Sequence, residues 1–320
     1  MFGGSDGDFL VRSFFQSRGQ YSPSSDLRLG WDYQGGGKLF FSRGERDALI
    51  QYAEFPLAWQ ITPGFEISLT PDFKYQNERD KVDATFQDIN EDYLSTTTRL
   101  NLRFPLSNAW TVEPSGSFTY FRFEPTQSYG FFRETGGATL QKTIGSVFAY
   151  GAHYSYTWQQ FAAGGRKDQE HQVSGFLQYL RAPVLSLRYT FERNDSSTAA
   201  YSFDNHRVTA LISVPMFPRD PDDVSEDEPG IPPALIAVHV LGTLQFKQFP
   251  SVFDYTPEGQ RFLLTGSEDE NFNSFVVKVS VHPFVRWAFE TKFTRYSNEF
   301  SSQQAAFRRF LIYAGVRYTF

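Results

Sequence analysis

The sequence predicts a closed antiparallel transmembrane β-barrel of sixteen strands, and three observations carry that prediction. The first is the final stretch, RRFLIYAGVRYTF (308–320). Phe310, Ile312, Ala314, Val316, Tyr318 and Phe320 share one parity and are all apolar or aromatic. Arg309, Leu311, Tyr313, Gly315, Arg317 and Thr319 share the other and are mostly polar or small. A period of two over this length argues for a strand with one apolar and one wet face. The second is composition: aromatic residues make up 18% of 320 residues, with 35 Phe and 17 Tyr, yet the mean hydropathy is -0.41. No run approaches the roughly 18 apolar residues of a membrane helix. A barrel that is apolar on only one parity combines these properties. The third is that short and long connections alternate over two-thirds of the chain, as they do in transmembrane barrels.

Taken in order, FLVRSFF (9–15), DLRLGWDY (26–33) and KLFFSRG (38–44) read as three strands, with Gly35-Gly36-Gly37 as a turn. Asp47 to Gln60 reads as a fourth, whose parity slips near Glu54 to Pro56. From Phe65 onward twelve strands are expected, among them those with Leu69 and Phe73, Leu100 and Leu102, Tyr154 and Tyr156, Leu185 and Leu187, Val208 and Ile212, Val238 and Val240, Val277 and Val279, and Trp287 and Phe289 on the outward parity. Tight turns fall at Thr62-Pro63-Gly64, Pro105 to Asn108, Thr143 to Gly145, Arg181 to Pro183 and His282 to Phe284, where Gly, Pro and Asn break the strands. The segments 108–123 and 129–142 alternate poorly, so bulges are expected there. If residues 1–23 form a plug or linker rather than a first strand, the count is fourteen. Residues 1–320 read as a single domain. One connection is unusual: PMFPRDPDDVSEDEPGIPP (215–233) is long, acidic and Pro-rich at a place where turn parity puts the short-connection side. It reads as a solvated loop or as a contact site for a partner.

A strand ending in Tyr-Thr-Phe resembles the closing strand of Gram-negative outer-membrane β-barrels of the porin-like superfamily. That resemblance implies a bacterial outer-membrane location with lipid around the barrel. It also implies recognition of Phe310, Tyr318 and Phe320 by the barrel-assembly machinery. A signal peptide is expected for such a protein, and MFGGSDGDFL has neither a basic nor an apolar region of that kind. The expectation is therefore that the signal has been removed, either alone or together with a periplasmic domain.

Several functions are disfavoured. The chain has no Cys, which rules out thiolate ligands and Cys nucleophiles. A net charge of -6 gives no sign of nucleic-acid binding. The five His (153, 171, 206, 239 and 282) lack metal-ligand spacing, so neither metal nor cofactor is expected. His171 and Ser174 are three residues apart, which places them on opposite faces of a strand and denies them the hydrogen bond a nucleophile and base need. Glu170-His171 and Asp204-His206 are the only neighbours that suggest a rim protease, and acidic loops produce such neighbours by chance. The chain is therefore not expected to be an enzyme.

The inward parity carries the expected function. Lys74, Arg99, Arg103, Arg188, Arg207, Lys278, Arg286, Glu290, Lys292, Arg309 and Arg317 are the expected pore-lining residues; with Glu66, Asp72 and Glu192 they total ten basic and four acidic groups. A basic lumen concentrates anions through its summed field. Mixed charges that brace the wall through cross-strand pairs, such as Glu290 with Arg286 or Lys292, are the competing reading. The expected function is an outer-membrane channel that passes polar solutes, anions among them, through a basic aqueous lumen. The alternatives are the barrel portion of a polymer-export system, such as exopolysaccharide secretion, with a periplasmic or lumenal partner, or a plugged structural barrel. Phe249 to Asn271 is the candidate constriction loop.

Overall fold

A computed structural model describes residues 10–40, 48–78, 93–107, 109–123, 130–162, 164–218, 234–255, 261–284, 287–300 and 307–318. The chain is all-β. Its strands are β1 (Leu10–Tyr21), β2 (Leu27–Phe40), β3 (Ala48–Glu54), β4 (Leu57–Thr62), β5 (Phe65–Glu78), β6 (Tyr93–Pro105), β7 (Trp110–Phe123) and β8 (Phe131–Ile144), followed by β9 (Phe148–Phe161), β10 (Lys167–Tyr179), β11 (Val184–Ser196), β12 (Phe203–Pro218), β13 (Ala234–Tyr255), β14 (Arg261–Phe284), β15 (Trp287–Phe300) and β16 (Phe307–Tyr318). They form one sixteen-stranded sheet in sequence order, with β3 and β4 both lying between β2 and β5. Among the described residues the strand pairings are antiparallel, as expected for strands joined by tight turns.

Sixteen strands are present, but the N-terminal ones divide differently from the expectation. Gly35-Gly36-Gly37 is not a turn: all three lie inside β2, opposite Phe15, Phe14 and Ser13 of β1. Three expected strands are thus two long ones. The expected strand at 47–60 is instead two, because Phe55 and Pro56 interrupt it where the parity slips. Proline has no N–H to give a ladder, which weakens a strand where it falls, as at Pro56. There the backbone bonds cross the gap another way, Phe55 N–H donating to the Pro71 carbonyl and Gly30 N–H to the Pro56 carbonyl. Because Leu10 to Tyr21 pairs along its full length with β2, residues 10–21 are a strand and not a plug, and the count of fourteen falls.

Four of the five expected turns fall at strand ends, whereas His282 to Phe284 instead extends β14, with Phe284 facing Trp287. At Pro63-Gly64 the chain reverses with Gly64 at φ +98, a conformation open to glycine and strained for other residues. The bulge expected in 108–123 does not occur where β6 pairs β7, since the register runs unshifted from Tyr93↔Phe123 to Pro105↔Thr111. Alternation is poor because Phe121 and Phe123 occupy the polar parity, not because a residue is inserted. The candidate constriction loop at 249–271 is not a loop along most of its length. β13 and β14 run on as a long hairpin to Tyr255↔Arg261, with a register shift only between Phe249 and Ser251. Residues 215–218 of the expected acidic loop extend β12, and 219–233 lie outside the described residues.

Packing is inverted relative to a water-soluble domain. The buried apolar residues among those described are all alanines: Ala48, Ala149, Ala200, Ala234 and Ala288. Ser174, Thr190, Asn194, Asn205 and Thr294 are buried instead. Large apolar side chains stand out on one parity, with Leu187 50% exposed, Leu244 54%, Phe246 55% and Ile312 78%. Single exposed apolar residues mean little, but a contiguous face of them marks an apolar surrounding. The chain divides into two compact units. The first comprises Met1–Leu106, Thr111–Ala138 and Ser155–Gln169. The second comprises Ser107–Trp110, Thr139–Tyr154 and Glu170–Phe320.

Candidate functional site

The polar parity of the strands is the candidate site, and in the first unit it is dense with ion pairs. Arg18 meets Asp32 at 2.6 Å, and Gln16 donates to the same carboxylate at 3.0 Å. Arg28 reaches Glu66 at 2.5 Å. Arg99 bridges two carboxylates, Asp72 at 2.8 Å and Glu54 at 3.1 Å, and Tyr52 donates its hydroxyl to Glu54. Arg103 meets Glu113 at 3.3 Å. Register sets these contacts: Glu54 faces Asp72 across β3–β5, two carboxylates that Arg99 bridges, and Glu66 faces Arg103 across β5–β6.

Further along the same face of this unit an aromatic row forms. Tyr93, Phe121, Phe131 and Phe161 follow one another with ring centroids 5.5, 5.0 and 5.7 Å apart. A cation lies over three of the rings: Lys74 over Tyr93 at 5.3 Å, Arg133 over Phe131 at 4.9 Å and Arg166 over Phe161 at 3.4 Å. Such contacts place a cation against the negative ring face; Arg166 also meets the Asp168 carboxylate at 3.3 Å.

The second unit is organised around Glu192, which accepts from Gln172 at 2.8 Å, Asn205 at 2.7 Å and Arg207 at 2.5 Å. Lys278 meets Glu290 at 2.9 Å. Ser213 bonds His239 Nδ1 at 2.8 Å, and Thr139 bonds His153 Nδ1 at 2.9 Å. Arg188 lies over Phe176 at 5.5 Å. Phe176 fits there because Gly151 has no side chain; a Cβ at that position would stand 2.8 Å from its Cζ. Lys292 faces Lys278 directly in register, and Arg309 faces Tyr296. Both Lys292 and Arg309 are exposed. Like charges facing each other across a ladder repel.

The expected pore-lining residues therefore separate into two groups. Arg99, Arg103, Arg207, Lys278 and Glu290 are joined in ion pairs, whereas Lys74 and Arg188 sit over rings and Lys292 and Arg309 stand free of any carboxylate among the described residues. Glu290 pairs with Lys278, not with Lys292, because the Lys278 side chain comes from the neighbouring strand two rungs away. Arg286 lies outside the described residues. Arg317 lies opposite Ala288 in the backbone register, with its side chain outside them. Sequence reasoning missed Asp32, Glu54 and Glu113, and with them Arg18, Arg28 and Arg133. Carrying the parity of Arg28 and Asp32 through Gly36 would have found the first two strands' charges. Treating the glycines as a turn prevented it.

His171 and Ser174 are on opposite faces. His171 bonds the Tyr154 hydroxyl at 2.9 Å, and Ser174 is buried on the polar side. His206 bonds the Tyr189 hydroxyl at 2.7 Å on the apolar side. Phe310 of the expected assembly signal is exposed on the apolar face, its ring centroid 6.2 Å from that of Phe293. Tyr318 pairs opposite Trp287 in the backbone, and Phe320 lies outside the described residues.

No protein-family model and no curated protein matches the sequence. Solved structures do resemble it. A bacterial polysaccharide outer membrane secretin aligns at a TM-score of 0.48 and 7% identity over 98% of this chain and 91% of that one. An outer membrane protein of Vibrio cholerae, OmpT with loop L8 deleted, aligns at 0.44 and 9% over 98% and 99%. The alcaligin outer membrane receptor FauA from Bordetella pertussis aligns at 0.45 and 11%; the match covers 97% of this chain but only 63% of the receptor. The roles of individual side chains are read from this chain alone.

Proposed function

We propose that the chain is an outer-membrane channel for polar solutes: the sheet closes into a barrel, the apolar parity faces lipid and the polar parity faces water. The observation that carries this reading is the inverted packing, with large apolar side chains exposed along one face and Ser, Thr and Asn buried on the other. Lipid accepts such a face only if every backbone group is paired, which an open sheet edge does not allow. A barrel of this strand number encloses water rather than a packed core. The cations that lack carboxylate partners, Lys292 and Arg309 with Arg188, favour anions over cations in the passage. No covalent chemistry is part of the proposal.

Single-channel conductance in a planar bilayer tests it, with the reversal potential taken in a salt gradient. A steady open conductance with anion preference is expected. A folded, inserted chain with no conductance would overturn the channel reading. One observation favours a second reading, export of a polymer such as an exopolysaccharide: the Tyr93–Phe121–Phe131–Phe161 row with its flanking cations offers sugar rings and acidic groups a sliding surface on the wet face. Conductance blocked by acidic oligosaccharides, and restored to steady current on Phe131→Ala, would select that reading over free diffusion.

A further inference from the structure

The apolar face of the second unit is not uniform. Ala210 of β12 faces Gly242 of β13, so two of the smallest residues meet among neighbours such as Leu244 and Phe275. A Cβ at Gly242 would meet nothing within 4 Å. The result is a cavity of about 480 Å³ lined by residues of β12 to β15, within the usual range for a small-ligand site. The backbone opens beside it: the β13–β14 pairing breaks off after Thr243↔Ser274 and resumes at Lys247↔Glu270. In that gap the Gln245 N–H donates to the side-chain oxygen of Asn273 at 3.3 Å.

One end of the cavity is cationic. Arg295 lies opposite Phe275 on the apolar parity, over the Phe310 ring at 5.7 Å. Among the described residues no carboxylate pairs with it. A charge on a lipid-facing surface is costly near the midplane and much less so near the interfaces. Arg295 is eight residues along β15 from Trp287, or about 26 Å at the usual strand rise. With the usual tilt this is about 20 Å across an apolar band roughly 25 Å tall. With Trp287 at one edge of that band the guanidinium lies toward the other, and register sets Ala210, Gly242, Phe275 and Arg295 on one row across β12 to β15, so the cation stands at the β15 end of the slot.

We propose that this groove binds one anionic phospholipid, its phosphate on Arg295 and an acyl chain in the slot at Gly242. The inference rests on the membrane reading above. Guanidinium and phosphate match in charge and in fork geometry, and the apolar walls match a chain.

The test uses the full folded chain. Insertion into phosphatidylcholine vesicles is measured first. The protein is then transferred to mixed micelles, and lipid retention is read by native mass spectrometry with dimyristoyl phosphatidylglycerol against dimyristoyl phosphatidylcholine. Preferential retention of one phosphatidylglycerol is expected. Arg295→Gln should weaken it roughly tenfold, the size of one charge-assisted contact, and Gly242→Leu should abolish retention of both lipids. Equal retention of the two lipids, or retention unchanged in Arg295→Gln, overturns the proposal and leaves the membrane reading standing. Failure to insert into vesicles overturns both.

Discussion

The two units have the same apolar face and different polar ones. In the first, each of Arg18, Arg28, Arg99 and Arg103 meets a carboxylate, and Arg99 meets two. In the second, Glu192 pairs with Arg207 and Glu290 with Lys278, while among the described residues no carboxylate pairs with Lys292 or Arg309. A charge that is paired braces the wall and contributes little net field, whereas an unpaired one acts on whatever passes. The same residue type, on the same parity of the same sheet, is thus structural in one unit and is assigned to selectivity in the other.

The largest effect should fall on the shared face, where the units ought not to differ. Val279→Arg in the second unit and Leu100→Arg in the first should each cost about 2–4 kcal/mol of stability in a bilayer if placed near its midplane. Reversible unfolding from vesicles measures this. A loss in one unit only would mean that the other does not face lipid. Next is the carboxylate at the centre of the second unit. Glu192→Gln keeps the shape but leaves Arg207 without its counter-charge, and a loss of about 1–3 kcal/mol is expected by the same assay.

The two polar faces separate more sharply under charge reversal. Arg99→Glu sets a third carboxylate beside Asp72 and Glu54, so it should lower stability by about 1–2 kcal/mol. Lys292→Glu with Arg309→Glu should leave stability nearly unchanged and move the reversal potential toward cations. If the Arg99 variant shifted selectivity at full stability, and the Lys292–Arg309 pair destabilised instead, the comparison would be inverted. The smallest effect belongs to Arg18→Gln. Its pair with Asp32 has an arginine side chain that is 73% exposed, and exposed pairs contribute about 0.2–1 kcal/mol.

Much of this was legible in the residues. From Phe65 onward, the alternation in stretches such as Val184 to Phe191 places Leu185, Leu187 and Tyr189 on the apolar face and Thr190 on the buried polar one. Turn residues marked the hairpins. The N-terminal strands were less legible, because glycines inside β2 carry no side chain whose polarity reports a face. The β13–β14 hairpin was misread because Asp, Glu and Ser suit a loop, whereas pairing with a neighbouring strand holds polar residues extended once their backbone groups are satisfied.

The sequence by itself determined the period of two, the two faces and the approximate strand positions, since side-chain direction along an extended chain is a local property. Only the tertiary structure decided which charges neutralise each other. Arg99 reaches Glu54 and Asp72 from a strand 45 and 27 positions away in the chain, and register alone brings them together. It also decided that Ala210 and Gly242, unremarkable apart, meet to open a groove that Arg295 also lines. Pairing is a relation between strands, and no single strand contains it.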